Sequence, residues 1–312
     1  MRTAVIQLRS DLSEPIPNRI ERAASMVRSQ QGADFVILPE LWVQGGFAFE
    51  TFPQTAQSLD GEAVTAIKSA AKEIGAWVHG GSIAEKCGDG KLRNTAFLIS
   101  PSGELVTTYS KRHLFGFSGG ETTVLTAGDE IVSVDLPWGR AGMSICYDVR
   151  FPEFYRAQLD QGAEIFLIPS AWPERRIAHW SALTRARAIE NQAFVIACNG
   201  VGVQGEVSLG GKSVVVDPWG VVLAEAGSDS GPATSRSADQ SGSKHFEGPV
   251  AVEPAGVPGA PGAGAGAAGG QHAAVRRPDL HPGGPGSHAA ARKSRFGGRR
   301  RFGVCRYIPA GA

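Results

Sequence analysis

No stretch of this 312-residue chain approaches the roughly 20 consecutive apolar residues that a membrane-crossing helix needs. Strand-like residues begin at Thr3, earlier than the charged and apolar regions of a secretory signal would allow, so a cytoplasmic protein is expected. The four cysteines, Cys87, Cys146, Cys198 and Cys305, lack metal-ligand spacing and in a reducing compartment would be free thiols. Neither a metal nor a cofactor is therefore expected. A net charge of +1 supplies no bulk field that would select a polyanionic partner.

What is present is an apolar content of 42%, enough for a real core, arranged up to about Ala226 as strand-like runs alternating with amphipathic helical stretches. One segment occurs twice. Gln31-Gly32-Ala33-Asp34-Phe35-Val36-Ile37-Leu38-Pro39-Glu40-Leu41-Trp42 returns as Gln161-Gly162-Ala163-Glu164-Ile165-Phe166-Leu167-Ile168-Pro169-Ser170-Ala171-Trp172. Each copy follows a strand and a helix, Thr3 to Leu8 with Arg19 to Ser29 and Arg140 to Cys146 with Pro152 to Asp160. Each is followed by a helix, a strand and a hairpin, the hairpins lying at Asn94 to Val106 and Ser213 to Leu223.

Phe35 to Leu38 and Ile165 to Ile168 have no polar face, so both must be covered on two sides. A duplicated β-α-β-α-β-hairpin unit meets that demand as two stacked mixed sheets with helices outside, a four-layer α-β-β-α sandwich. A single open doubly wound sheet is the competing arrangement. In either, ligands belong at the carboxyl ends of the strands, where Glu40, Cys146, Ser170 and Asn199 fall.

The alternating strand and helix pattern is expected to occupy residues 1–227 as one domain, with a separate tail over 228–312. The tail is rich in Gly, Ala, Pro, Ser and Arg and cannot supply a packed core. It reads as a solvated disordered segment or as a shifted frame of a GC-rich gene. Its runs Arg292-Lys293-Ser294-Arg295 and Arg299-Arg300-Arg301 could touch nucleic acid, the less favoured reading.

Cys146 stands where an apolar strand gives way to Tyr147-Asp148-Val149-Arg150-Phe151-Pro152-Glu153, a position that exposes a thiol beside backbone N–H groups able to bind an oxyanion. Glu40 after Leu38-Pro39 could take the thiol proton and Lys111 after Tyr109-Ser110 could stabilise a thiolate. A buried structural cysteine, a salt-bridged Glu40 and a solvated Lys111 are the structural alternatives.

Leu38-Pro39-Glu40, Lys111-Arg112-His113-Leu114-Phe115 and Ile145-Cys146-Tyr147-Asp148-Val149-Arg150-Phe151-Pro152-Glu153 together resemble the three signature segments of the nitrilase superfamily, the carbon–nitrogen hydrolases. The resemblance extends over residues 1 to 226. It implies the four-layer sandwich and a Glu40–Lys111–Cys146 triad that cleaves a C–N bond through a thioester. The oxyanion would lie between Lys111 and the backbone N–H of Tyr147. Glu121 matches the family's supporting glutamate. Ser170-Ala171-Trp172-Pro173, His179-Trp180 and the stretch Ala186 to Val195 look like omega-amidase-type members, which release ammonia from short dicarboxylate monoamides. Ala171 and Trp172 would then line the substrate site.

Arg150, Arg175 and Arg176 are candidates to meet a substrate carboxylate, with solvent exposure or a structural ion pair expected for Arg150. An N-carbamoyl-amine hydrolase of the same superfamily, a Cys–His enzyme using His113 or His179, and an inactive core acting through its basic tail are the rivals. The resemblance also implies a homodimer, put in doubt by the atypical tail, a small-molecule amide as substrate, and no membrane partner.

Overall fold

The computed structural model describes residues 1–116 and 119–227 and the backbone of one further strand at Ser243–Phe246. The other tail residues, and the expectations attached to them, lie outside the described residues. The first half comprises β1 (Thr3–Ile6), α1 (Ile16–Arg28), β2 (Phe35–Ile37), α2 (Phe52–Thr55), α3 (Glu62–Ile74), β3 (Trp77–Lys86), β4 (Leu92–Ile99) and β5 (Leu105–Ser110). The second comprises β6 (Ser133–Leu136), β7 (Gly139–Met143), α4 (Pro152–Asp160), β8 (Ile165–Ser170), α5 (Ile177–Asn191) and β9 (Phe194–Asn199). After it come the hairpins β10 (Val201–Gln204) with β11 (Val207–Gly210) and β12 (Val214–Val216) with β13 (Val222–Glu225), then β14 (Ser243–Phe246).

Helix boundaries follow local chemistry. Ile20, Ala23, Ala24 and Val27 put one buried stripe on α1 at helical spacing. α3 stops where Gly75 enters the left-handed region at φ 64°. Pro152 opens α4 at a position where its missing N–H is not needed.

Two six-stranded mixed sheets form, ordered β14-β1-β2-β3-β4-β5 and β13-β12-β9-β8-β7-β6. In each, three central strands run parallel and the hairpin strands antiparallel. The correspondence extends one strand beyond the repeat read from the sequence. β6 flanks β7 antiparallel, and β14 flanks β1 in the same way, although β14 lies past residue 227.

Side-chain alternation explains why neither repeated strand has a polar face. Phe35 and Ile37 of β2 and Ile165 and Leu167 of β8 join one core between the sheets. Val36 and Leu38 pack beneath α1 and α3, whereas Phe166 and Ile168 pack with Trp180 and Ala188 of α5. Helix, sheet, sheet and helix are thus the layers, and the single open sheet is excluded. No helix among the described residues is long and apolar enough to cross a membrane.

Candidate active site

Glu40 lies just beyond β2, Lys111 follows β5, Cys146 comes three residues after β7, and Ser170 closes β8. These strand exits converge on a cavity of about 170 Å³ lined by Glu40, Lys111, Glu121 and Cys146. All four are buried, Cys146 at 8% exposure. The residues expected to carry the chemistry are therefore brought together.

Lys111 is the centre of the polar cluster. Its Nζ donates to Glu40 Oε1 at 2.7 Å and to Glu121 Oε2 at 2.8 Å. Burial disfavours the ammonium, but Glu121 and Glu40 outweigh it and hold the Lys111 pKa well above its ordinary value. Burial raises the Glu121 carboxyl, with Lys111 pulling the other way. The Glu40 Oε2 atom accepts from the backbone N–H of Ala171 at 2.7 Å, and the Phe115 N–H donates to Glu121 Oε2 at 2.7 Å.

Asn94, which the sequence reading passed over, also joins this cluster. Its Nδ2 donates to Glu40 Oε1 at 2.8 Å and to Glu121 Oε1 at 2.9 Å. The available signal was an asparagine immediately before the apolar residues of a strand.

Cys146 begins a short 3-10 turn, Cys146–Arg150, with φ 46°, a left-handed conformation unfavourable for a residue with a Cβ. Asp148 holds that turn. One of its oxygens accepts from the Ile145 N–H at 2.9 Å and the Tyr109 hydroxyl at 2.8 Å. The other meets the His113 N–H at 3.0 Å and His113 Nδ1 at 2.7 Å. Arg187 Nε of α5 braces the far side by donating to the Val149 carbonyl at 3.0 Å.

The thiol is therefore placed by strain that its surroundings over-determine. Burial pushes its pKa well above the usual range, and Glu40 adds to that, while Lys111 and the Ser170 hydroxyl oppose it. Burial and Glu40 together outweigh the pull of Lys111, so Lys111 does not create a standing thiolate. The geometry instead suits proton transfer to a base at the moment of attack.

His113 stacks on Phe151 at 3.7 Å as it engages Asp148, and His179 meets Arg150 at 3.2 Å. Neither histidine lines the cavity. A Cys–His arrangement is not what the fold assembles.

The remaining wall is apolar with two cations. Phe47 meets Phe115 edge-on at 6.2 Å, and Phe115 meets Tyr147 at 5.5 Å. Gly46 lets its loop approach Ala171, where an added Cβ would come 2.6 Å from the alanine Cβ. Trp172 both lines the cavity and packs on Trp180, with its backbone N–H on Asn199 Oδ1 at 2.6 Å. Ala171 lines the cavity too, but its N–H is committed to Glu40.

Arg150 departs from expectation. It lies 4.8 Å over the Trp172 ring and 5.6 Å over Tyr147, in the cavity wall, and has no carboxylate partner among the described residues. The stretch of chain that carries Cys146 turns straight into α4, which leaves Arg150 on the cavity side. Arg176 lies 5.0 Å over Phe115, and its buried Nη2 has no hydrogen-bond partner among the described residues. Burial, then Arg175 and Arg150, lower its pKa. Arg175 is exposed and does not line the cavity.

A family model described as carbon-nitrogen hydrolase matches residues 2–234. The chain is 44% identical over 230 residues to the 2-oxoglutaramate amidase of Paenarthrobacter nicotinovorans, spanning 72% of this chain and 78% of that protein. It is 35% identical over 238 residues to omega-amidase NIT2 of Homo sapiens, spanning 73% and 85%. Among solved structures, XC1258 from Xanthomonas campestris, a CN-hydrolase superfamily protein with an arsenic adduct in its active site, superposes with a TM-score of 0.67 at 32% identity. That match spans 72% of this chain and 85% of the other.

Proposed function

This chain belongs to the carbon-nitrogen hydrolase family, and on that premise we propose that it hydrolyses the terminal amide of a small carboxylate, as the 2-oxoglutaramate amidases do. The observation that carries the substrate class is the pairing, in one cavity, of a buried thiol–carboxylate–ammonium cluster with two arginines, Arg150 and Arg176, that have no carboxylate partner among the described residues. A volume of about 170 Å³ is below the roughly 300 Å³ at which pockets for drug-sized ligands begin, and favours a short chain.

Glu40 takes the Cys146 proton as sulfur attacks the amide carbon. The carbonyl electron pair moves to oxygen, and the oxyanion lies between Lys111 and the Tyr147 N–H. Of the three Lys111 protons, two engage Glu40 and Glu121, which leaves one for that oxygen. Glu40 returns its proton to the departing amine, releasing ammonia and leaving a Cys146 thioester. Water activated by Glu40 then attacks the thioester carbon and regenerates the thiol. Glu121 keeps Lys111 charged and in place, and the substrate's far carboxylate meets Arg150 and Arg176.

Ammonia release is measured across 2-oxoglutaramate, 2-oxosuccinamate, glutamine, N-carbamoyl compounds and a simple nitrile, with Cys146→Ala as control. The short dicarboxylate monoamides are expected to react fastest, and the Cys146→Ala protein to lose at least about 1,000-fold. Turnover confined to N-carbamoyl compounds or nitrile would overturn the substrate assignment; full activity without the thiol would overturn the mechanism.

A further inference from the structure

Asn94 sits in β4, fully buried, and its backbone carbonyl accepts from the Lys111 N–H at 2.8 Å, so it lies next to the other donor to the two carboxylates. Its amide orientation is forced, since a flipped group would aim Oδ1 at Glu40 and Glu121. In the observed orientation Oδ1 has no partner among the described residues. A buried, unmet acceptor is unfavourable, so the two bonds made by Nδ2 have to outweigh it.

The lone-pair count on the carboxylates then becomes specific. Glu40 Oε1 receives Lys111 Nζ and Asn94 Nδ2, which use both of its acceptor positions. Glu40 Oε2 receives the Ala171 N–H and keeps one position open. Glu121 Oε2 receives Lys111 and the Phe115 N–H, whereas Glu121 Oε1 has Asn94 as its donor. Asn94 supplies these bonds as a neutral donor, without adding positive charge.

We propose that Asn94 is a positioning residue for the hydrolysis, a neutral bridge that keeps both buried carboxylates ionised together and directs the thiol proton to Oε2 of Glu40. The inference rests on the thiol-hydrolase reading above. In the acylation step the S–H bond breaks, its proton goes to Oε2, and the sulfur pair forms the S–C bond. Collapse of the oxyanion expels the amine, which takes the same proton from Oε2. Without the bridge, Glu121 Oε1 is left buried with no donor, and the carboxylate pair gains a proton that it then shares. A base already holding a proton cannot accept one from Cys146.

The test compares Asn94→Leu and Asn94→Asp with the wild-type protein, because both keep the branching at Cγ and remove the two-pronged donor. Two pH profiles are recorded, kcat/KM for ammonia release and the rate of Cys146 alkylation by iodoacetamide. The expected result is a fall in kcat of about 10- to 100-fold with KM nearly unchanged, and an acid limb moved to higher pH by about one unit in both profiles. An unchanged acid limb, with activity reduced in proportion to the alkylatable thiol, would assign Asn94 a structural role and overturn the proposal. Should the variants fail to fold, the wild-type protein still decides. Its Asn94 Nδ2 protons are expected to be protected from exchange and to shift in NMR at the pH of the acid limb, and fast exchange or no shift overturns the idea. A wild-type protein inert toward every amide sinks the hydrolase reading, while the alkylation profiles test the bridge separately.

Discussion

Arg176 lines the cavity with a buried guanidinium nitrogen that has no acceptor among the described residues, and Arg150, over Trp172, lines the same cavity. Burial first, then repulsion from Arg175 and Arg150, lowers the pKa of Arg176. An arrangement of that kind persists where an anion from outside completes it. Arg176→Met keeps the stem that covers Phe115 and removes the charge. Charge-assisted hydrogen bonds of about 1.5–3 kcal/mol translate to a rise in KM of about 10- to 100-fold for a carboxylate-bearing amide. A neutral amide of similar length is expected to change by less than about threefold. Steady-state kinetics on both substrates checks this, and an equal loss on the two would remove Arg176 from carboxylate recognition. The sequence offered Arg150, Arg175 and Arg176 as candidates and could not show which of them line the cavity, because the direction in which a turn after β7 points its side chains depends on α5 and Trp172, which lie far along the chain.

At the scale of elements, Glu40 is positioned by an irregularity in its neighbour. The pairing of β3 with β4 shifts register between His79 and Ser82, and Gly81 within that bulge has φ 68°. Its missing side chain admits the Pro39 carbonyl, with which an added Cβ would overlap. Ser82 then receives the next turn of chain, its N–H donating to Pro39 O at 3.3 Å and its hydroxyl accepting from the Leu41 N–H at 3.1 Å. Gly81→Ala is therefore expected to lose about 1–3 kcal/mol of stability and, by displacing Glu40, about 10- to 100-fold in kcat. Gly90→Ala is the control. Gly90 also has a positive φ, 79°, but has open space where a Cβ would go, and it should lose stability without losing kcat. Denaturant melts and kinetics on the two variants check the contrast, and equal kcat values would disconnect the bulge from the site. Strands, helices and catalytic strand exits were legible because hydrophobic period and punctuation are local. The bulge was not, since paired glycines in an apolar strand do not reveal what approaches them, and β10 with β11 escaped notice because each has four residues with only two apolar ones, too short a run to stand out.

For the whole molecule the duplication sets how stability and activity are linked. The sequence repeat already implied that Cys146 and Glu40 come from different halves, and the described strands put those halves in different sheets. The sheets are joined by a core of Val5, Phe35, Ile37 and Leu98 against Ala141, Ile165, Leu167 and Ile196. At the site itself the Glu40 N–H donates to Ser170 O at 3.3 Å, and the Ala171 N–H donates back to the Glu40 carboxylate at 2.7 Å. Separating the sheets breaks the nucleophile–base pair before either sheet needs to unfold. Leu167 is fully buried in the shared core and does not line the cavity. Leu167→Ala should cost about 2–5 kcal/mol by leaving a void between the sheets. In urea both its midpoints are expected to move to lower denaturant, with the midpoint for ammonia release below the tryptophan-fluorescence midpoint. Phe166→Ala empties the other face of the same strand, beneath α5, and should cost about 3–5 kcal/mol, lowering stability as much or more while keeping the sheets in contact. Just below their midpoints the two variants should then part. The Leu167→Ala protein loses activity ahead of fluorescence if the sheets slip first, and the Phe166→Ala protein loses both together. Coincident loss in both variants would mean that the sheets separate only as the entire domain unfolds, leaving the inter-sheet core with no distinct hold on the catalytic geometry.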